Sequence, residues 1–375
     1  MMKNTMNQSL PICNTATKNR RAANYLKALR FEHPEWVPCS LSLLPATWIQ
    51  YRERLEELVL AHPRVFPGFR KGSIDFDFKN GFWLPTYELG RHVDCWGVVW
   101  ENVQRGSDSI VVEEPLKDWA DFAKWQQRLP DPVRDDWFGP RDWEGLRGHL
   151  DVARRNGDLA MACPLLHGPF FMQLYYLRGF ENLLVDMATE EPQLQALIDR
   201  LLAYNVEVIR RCLDLKPELV ILAEDLGMQT SLPVSPTMWR RWVKPGYEAM
   251  AGPCRDRGIP VYLHSDGNIL DIIPDLIETG VRILNPQIRA NGLKGLQEVA
   301  RGRVCLDQDL DRQLFPFASP SQVEDHIAEV LEGLYLPEGG LMLKAECGPD
   351  VPLVNIEAIC RSFERLCGLP EGDVR

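Results

Sequence analysis

The chain of 375 residues contains no apolar run approaching the roughly 20 residues that a membrane-crossing helix needs. No Cys-x-x-Cys occurs. The ten cysteines stand singly, which suits reduced thiols in a cytoplasm better than a disulfide framework. No Gly-x-Gly-x-x-Gly follows a strand pattern, and there is no Walker-type Gly-Lys-Ser/Thr and no Gly-x-Ser-x-Gly elbow. Nucleotide cofactors and serine-hydrolase chemistry therefore find little support. Positive charge is in deficit: 42 Lys and Arg against 53 Asp and Glu leave a net charge of −11, which repels a phosphate backbone and argues against nucleic acid. Internal repeats and low-complexity tracts are missing as well. The polar stretch Met1–Arg21 has no apolar core, so it does not read as a secretory signal. It is expected to be a disordered tail, with residues 22–375 forming one domain.

What is present is ordinary for a soluble enzyme, with 45% hydrophobic and 25% charged residues. From about residue 155 onward one rhythm repeats: an apolar run, a polar or Gly/Pro-rich loop, then a helical pattern. The runs are Leu159–Leu166, Leu219–Ala223, Ile259–Leu263, Val281–Leu284, Val304–Leu306 and Leu341–Lys344. Helix ends are legible between them. Ser235-Pro236 reads as an N-cap with proline in the first turn, Ser319 to Gln322 as a capping box, and Asn355 as the cap of the last helix. Strands alternating with helices imply a parallel sheet. With Trp36–Leu44 as a further strand, the total approaches eight, and the expected fold is an α/β (β/α)8 TIM barrel.

Active sites of such barrels lie at the C-terminal strand ends, and polar residues gather there. Glu224 and Asp225 follow one run, and His264 and Asp266 the next. Asn285 and Gln287, then Asp307, Gln308 and Asp309, then Glu346 and Cys347 follow the others. Side chains alternate along a strand, so His264 and Asp266 share a face. They are either a polar lock or two metal ligands. A catalytic zinc site takes three protein ligands of nitrogen, sulfur or oxygen type and keeps one position open. His264, Asp266 and Cys347 supply one of each, and Glu224 is a fourth candidate. The competing readings are a satisfied core histidine and a cysteine acting as a small hydrophobe. His167, after the first run, lines either the site's mouth or a helix-entry loop. Lys344, inside an apolar strand, either snorkels, pairs with an acid or touches a ligand.

These residues carry a resemblance. From about Asn24 to Leu366 the chain resembles the uroporphyrinogen decarboxylase superfamily, and within it the cobalamin-dependent methyltransferase branch. The resemblance rests on Phe31-Glu32-His33-Pro34-Glu35-Trp36-Val37-Pro38, Asp94–Glu101, Gly168-Pro169-Phe170 and Leu177-Arg178-Gly179-Phe180-Glu181. It continues through Glu224-Asp225-Leu226-Gly227, Ser235-Pro236, His264-Ser265-Asp266-Gly267, Asn285-Pro286 and Pro352-x-x-Asn355-Ile356. It implies a (β/α)8 barrel. The decarboxylase branch carries an N-terminal Arg-Gln-Ala-Gly-Arg run that grips carboxylates, and Leu44–Arg52 here lacks it. The methyltransferase branch holds zinc through His-x-Cys and a second Cys about eighty residues later. His264 matches that His and Cys347 lies near the second Cys, whereas Asp266 stands where the first Cys would be.

The resemblance implies a zinc-dependent methyltransferase that moves a methyl group between a small methyl ether or thiol and a corrinoid. The corrinoid would sit on a separate partner protein, because the chain has no Asp-x-His-x-x-Gly motif. In that reading Glu224 and Asp225 are catalytic, and His167, Asn285, Gln287 and Asp307 bind substrate. Zn is held by His264, Asp266 and Cys347, with Glu224 as the other oxygen ligand. The alternatives are metal-free decarboxylation of a tetrapyrrole and a non-catalytic ligand-binding barrel.

Overall fold

Runs of Val, Ile and Leu buried on both faces favour parallel strands covered by helices, and the computed structural model of the protein is built that way. It describes residues 19–82 and 84–371. Seven parallel strands form one sheet: β1 (Cys39–Leu43), β2 (Met161–Ala162), β3 (Leu219–Asp225), β4 (Val261–Asp266), β5 (Val281–Pro286), β6 (Cys305–Asp309) and β7 (Leu341–Cys347). Their order is β1-β7-β6-β5-β4-β3-β2, so the first strand pairs with the last and the sheet curls into a TIM-type barrel. Among the described residues no strand is hydrogen-bonded between β1 and β2, where an eighth would lie. The chain from Leu44 to Ala160 leaves the barrel there. It forms short helices and an antiparallel sheet of Gly90–Val93, Val99–Asn102 and Ile110–Glu113.

The strands outrun the apolar runs that mark them. β3, β5, β6 and β7 each continue two or three residues into the polar stretch that follows. The Leu159–Leu166 run is the exception, because only Met161 and Ala162 pair. The tail expected over residues 1–21 lies outside the described residues up to residue 18. Arg20 and Arg21 already belong to helix α1 (Arg20–Arg30), whose first turn Asn19 caps by accepting from the Ala22 N–H at 2.9 Å.

Two apolar layers hold the barrel. Outward-facing Val220, Leu222, Leu263, Leu284, Leu306, Leu343 and Ala345 pack on the helices, among them α2 (Phe171–Arg178), α3 (Pro192–Asp214) and α4 (Leu353–Leu366). Inward-facing Leu219, Tyr262, Ile283, Cys305 and Met342 meet Ala22, Leu26 and Leu29 of α1, which plugs the barrel's N-terminal end. The lumen therefore has an apolar floor, and its polar residues lie above it. The capping box of Ser319 and Gln322 is formed. Asn355 is not the cap of α4, which follows Pro352. Asn355 lies inside the first turn, and its Nδ2 donates to Phe315 O at 2.7 Å and Ala318 O at 2.8 Å. No described helix is long and apolar enough to cross a membrane.

Candidate functional site

The two motif loops at the top of β3 and β4 touch backbone to backbone. A Cβ on Gly267, at φ +80°, would stand 2.0 Å from Gly227 O, so both turns require glycine. Gly227 N donates to Asp266 O at 3.2 Å, and Leu226 N donates to Ser265 Oγ at 3.0 Å. This clasp fixes His264, Asp266 and Asp225 at one rim. His167 arrives from the loop after β2, where Gly168 N donates to Ala223 O at 2.7 Å.

Because the strands extend into the polar stretch, alternation divides that stretch between two faces. Asp225, His264, Asp266, Asn285, Asp307, Asp309, Lys344 and Glu346 face the lumen. Glu224, Gln308 and Cys347 face the helices. Glu224 is fully buried and accepts from Phe170 N at 2.5 Å and Met172 N at 3.1 Å. Burial pushes its carboxyl up to about 7 despite those two donors. Cys347 is fully buried in the outer core beside Cys360 of α4, and burial pushes its thiol well up. Of the ligand set expected from sequence, His264 and Asp266 thus stand together at 3.1 Å, whereas Cys347 and Glu224 are not brought to them. One residue of offset sends the thiol and the Glu224 carboxylate to the far side of the sheet.

A different trio converges. His167, Asp225 and His264 each offer a nitrogen or carboxylate oxygen within 4.8 Å of the others. His167 Nε2 lies 3.2 Å from Asp225 Oδ1, and the two imidazole centroids are 5.8 Å apart. Burial lowers the His167 pKa, but the Asp225 hydrogen bond and the charges of Asp225, Glu224 and Asp266 outweigh it and raise the pKa above the usual histidine range. His264 is held from below. Asn285 Nδ2 donates to Asp307 O, which turns Asn285 Oδ1 toward His264 Nδ1 at 2.7 Å. Nδ1 therefore carries the hydrogen and Nε2 is aimed at the rim, 3.1 Å from Asp266 Oδ1.

Asp266 itself is shared. Arg312 reaches Asp266 Oδ1 at 2.6 Å, Asp309 Oδ2 at 2.9 Å and Glu346 Oε1 at 2.9 Å. Burial opposes ionisation of Asp266, but the His264 hydrogen bond and the His264 and Arg312 charges hold its carboxyl below the usual range. Asp309, more deeply buried, is pushed up to about 6 although Arg312 pulls it down. Asp307 lies lower in the lumen and accepts from the Tyr262 hydroxyl at 2.9 Å. Gln287 holds the loop after β4, its Oε1 accepting from Gly267 N at 3.0 Å.

Sequence reasoning missed Arg312. Its one local signal is the i, i+3 spacing from Asp309 just past a strand. It also missed Tyr87 and Asp108, which hydrogen-bond to each other and bring a carboxyl from the excursion into the field of His167, Asp225 and Glu346. Nothing in their local sequence points there.

A family model and one structural match over nearly the whole chain agree with this architecture. The family model described as uroporphyrinogen decarboxylase (URO-D) matches residues 105–366. Among solved structures, a methyltransferase from Methanosarcina mazei is similar over 93% of this chain and 99% of its own, with a TM-score of 0.60 and 18% identity. A dihydropteroate synthase from Xanthomonas albilineans is similar over 44% of this chain and 63% of its own, with a TM-score of 0.30 and 14% identity. No curated protein sequence matches the chain significantly.

Proposed function

The chain belongs to the uroporphyrinogen decarboxylase (URO-D) family, and from that premise we propose that it is a methyltransferase working at a zinc ion held by His167, Asp225 and His264. The observation that carries the reading is the convergence of these three donors within 4.8 Å at the rim of the barrel. Two imidazoles and one carboxylate form a donor set suited to zinc, and three protein ligands leave a fourth position for substrate. The Asn285 contact behind His264 is the outer-sphere bond that zinc-binding histidines usually make. The fold shared with the Methanosarcina mazei methyltransferase is compatible with the same class of reaction.

Bound zinc supplies Lewis acidity toward a methyl ether oxygen, or lowers the pKa of a thiol. The rest falls to the chain's own side chains. Asn285 fixes the His264 tautomer. Arg312 draws Asp266 aside and limits repulsion among three carboxylates. Asp108, hydrogen-bonded to Tyr87, adds a carboxyl within the field of His167 and Asp225. The second reactant is a corrinoid carried by a separate protein. The tetrapyrrole decarboxylase reading is weaker, because the guanidinium of Arg312 is already taken up by three carboxylates and is not free to clamp a polycarboxylate.

The test is metal analysis of protein purified without added metal, joined to conversion of cob(I)alamin to methylcobalamin with methyl ethers and methyl thioethers as donors. One zinc per chain, lost in His264→Ala together with methyl transfer, is the expected result. A metal-free protein that turns over, or stoichiometric zinc with no methyl transfer from either donor class, overturns it.

A further inference from the structure

Lumen-facing residues of a small barrel are ordinarily covered by side chains from neighbouring strands. Ser40 on β1 is exposed. It lies on the flank where, among the described residues, β1 has no hydrogen-bonded neighbour toward β2, and Met161 of β2 is exposed too. Cys39, Leu41 and Leu43 pack outward against the helix layer, so Ser40 and Ser42 turn inward. In the β1–β7 ladder Ser40 aligns with Lys344 and Ser42 with Glu346. Two hydroxyls and an ammonium thus line one polar wall beside an opening.

Lys344 stands apart among the charged lumen residues. Arg312 holds three carboxylates, Asp225 pairs with His167, and Asp307 accepts from Tyr262. Lys344 is half-buried and feels the charges of Asp307 and Asp309. Among the described residues it nevertheless makes no ion pair or hydrogen bond, and Ser40 and Ser42 make no side-chain hydrogen bond either. A lysine kept only as a counter-charge would be expected to close to contact distance, as Arg312 does on Asp309. A half-buried ammonium without an acceptor is instead ready for an anion that brings its own oxygens.

We infer that Lys344, Ser40 and Ser42 form an anion subsite on the β1–β7 wall, reached through the open flank, which takes the carboxylate or phosphoryl group of a small organic substrate. The methyl donor is then an anionic one, such as a methoxylated acid. That last step rests on the methyl-transfer reading, whereas the subsite does not.

The test is calorimetric titration with benzoate and with inorganic phosphate, on wild type and on four variants. Wild type binds at least one of them saturably. Lys344→Met weakens that binding about tenfold or more, and Lys344→Arg keeps it within about threefold, as the loss of one charge-assisted contact requires. Ser40→Ala/Ser42→Ala weakens it about threefold to tenfold. His264→Ala keeps it within about threefold, since the anion does not sit on the cation. Tighter benzoate identifies a carboxylate and tighter phosphate a phosphoryl group, and either upholds the subsite. No saturable binding of either anion overturns it. So does wild-type affinity in Lys344→Met or, should that variant not fold, wild-type affinity in Ser40→Ala/Ser42→Ala. Zinc content measured on the same samples separates the two readings: a zinc-free protein that still binds benzoate sinks the cation site alone, and a zinc-loaded one that binds neither anion sinks this subsite alone.

Discussion

Asn285 Oδ1 lies 2.7 Å from His264 Nδ1, across the ladder that pairs the two residues between β4 and β5. The contact sets which ring nitrogen faces the rim, because the amide of Asn285 is itself oriented by its bond to Asp307 O. Asn285→Leu removes the acceptor and leaves the His264 ring free to choose its tautomer. Zinc affinity is expected to fall about 10- to 100-fold, read by competition with a chromophoric chelator. Asn285→Asp, which keeps an acceptor, should stay closer to wild type. Equal affinity in all three proteins would remove Asn285 from the site.

Glu224 predicts a pH dependence. Its folded-state pKa is about 7 against an ordinary 4.5. The folded protein therefore binds more protons than the unfolded chain between those values. Stability falls as pH rises from about 4.5 through about 7, and the cost is complete above that. Glu224→Gln abolishes this component. Between pH 4.5 and pH 8 the stability of the variant relative to wild type should improve by roughly 3 kcal/mol, measured by urea melts at each pH. A difference that stays flat with pH would show that Glu224 does not titrate there.

Arg312 makes ion pairs with Asp266, Asp309 and Glu346. Arg312→Met leaves three carboxylates facing one another in a partly buried lumen. A loss of about 3 kcal/mol is expected at pH 8. At pH 5 the loss should be smaller, because Asp309, pushed up to about 6, is already largely protonated there and Arg312→Met leaves fewer carboxylate charges facing one another. Thermal melts at the two pH values check this, and an equal loss at both would refute the electrostatic account.

The positions of the strands were legible from sequence because apolar runs buried on both faces have few other uses in an alternating pattern. The inward pairing of His264 and Asp266 was legible too, since it needs only the two-residue period. The strand ends were not. The runs of hydrophobic residues stop before the hydrogen bonding does, so Glu224 and Cys347 looked like loop residues free to turn inward. In fact the period sends them outward, one to the N–H groups of Phe170 and Met172, the other into the core beside Cys360. Arg312, Tyr87 and Asp108 were illegible for another reason. Their partners lie on distant elements, and only the closed geometry of the barrel mouth brings them together. Lys344 announced itself as an anomaly inside an apolar strand, although the sequence could not say that it would lack a partner.

Cys347 provides a sharp discrimination between the ligand set suggested by resemblance and the one suggested by geometry. It lies on the outer face of β7, and His264 on the inner face of β4, with the sheet between their side chains. Cys347→Ala should therefore leave zinc stoichiometry unchanged while lowering stability by about 1–2 kcal/mol through the small cavity opened against α4. His167→Ala should do the reverse, removing zinc with little effect on the melt of the apo protein, because His167 is exposed at the mouth. Elemental analysis and apo-protein melts on the two variants are enough. If Cys347→Ala loses the metal and His167→Ala keeps it, the thiol reaches the lumen after all, and the trio of His167, Asp225 and His264 is not the cation site.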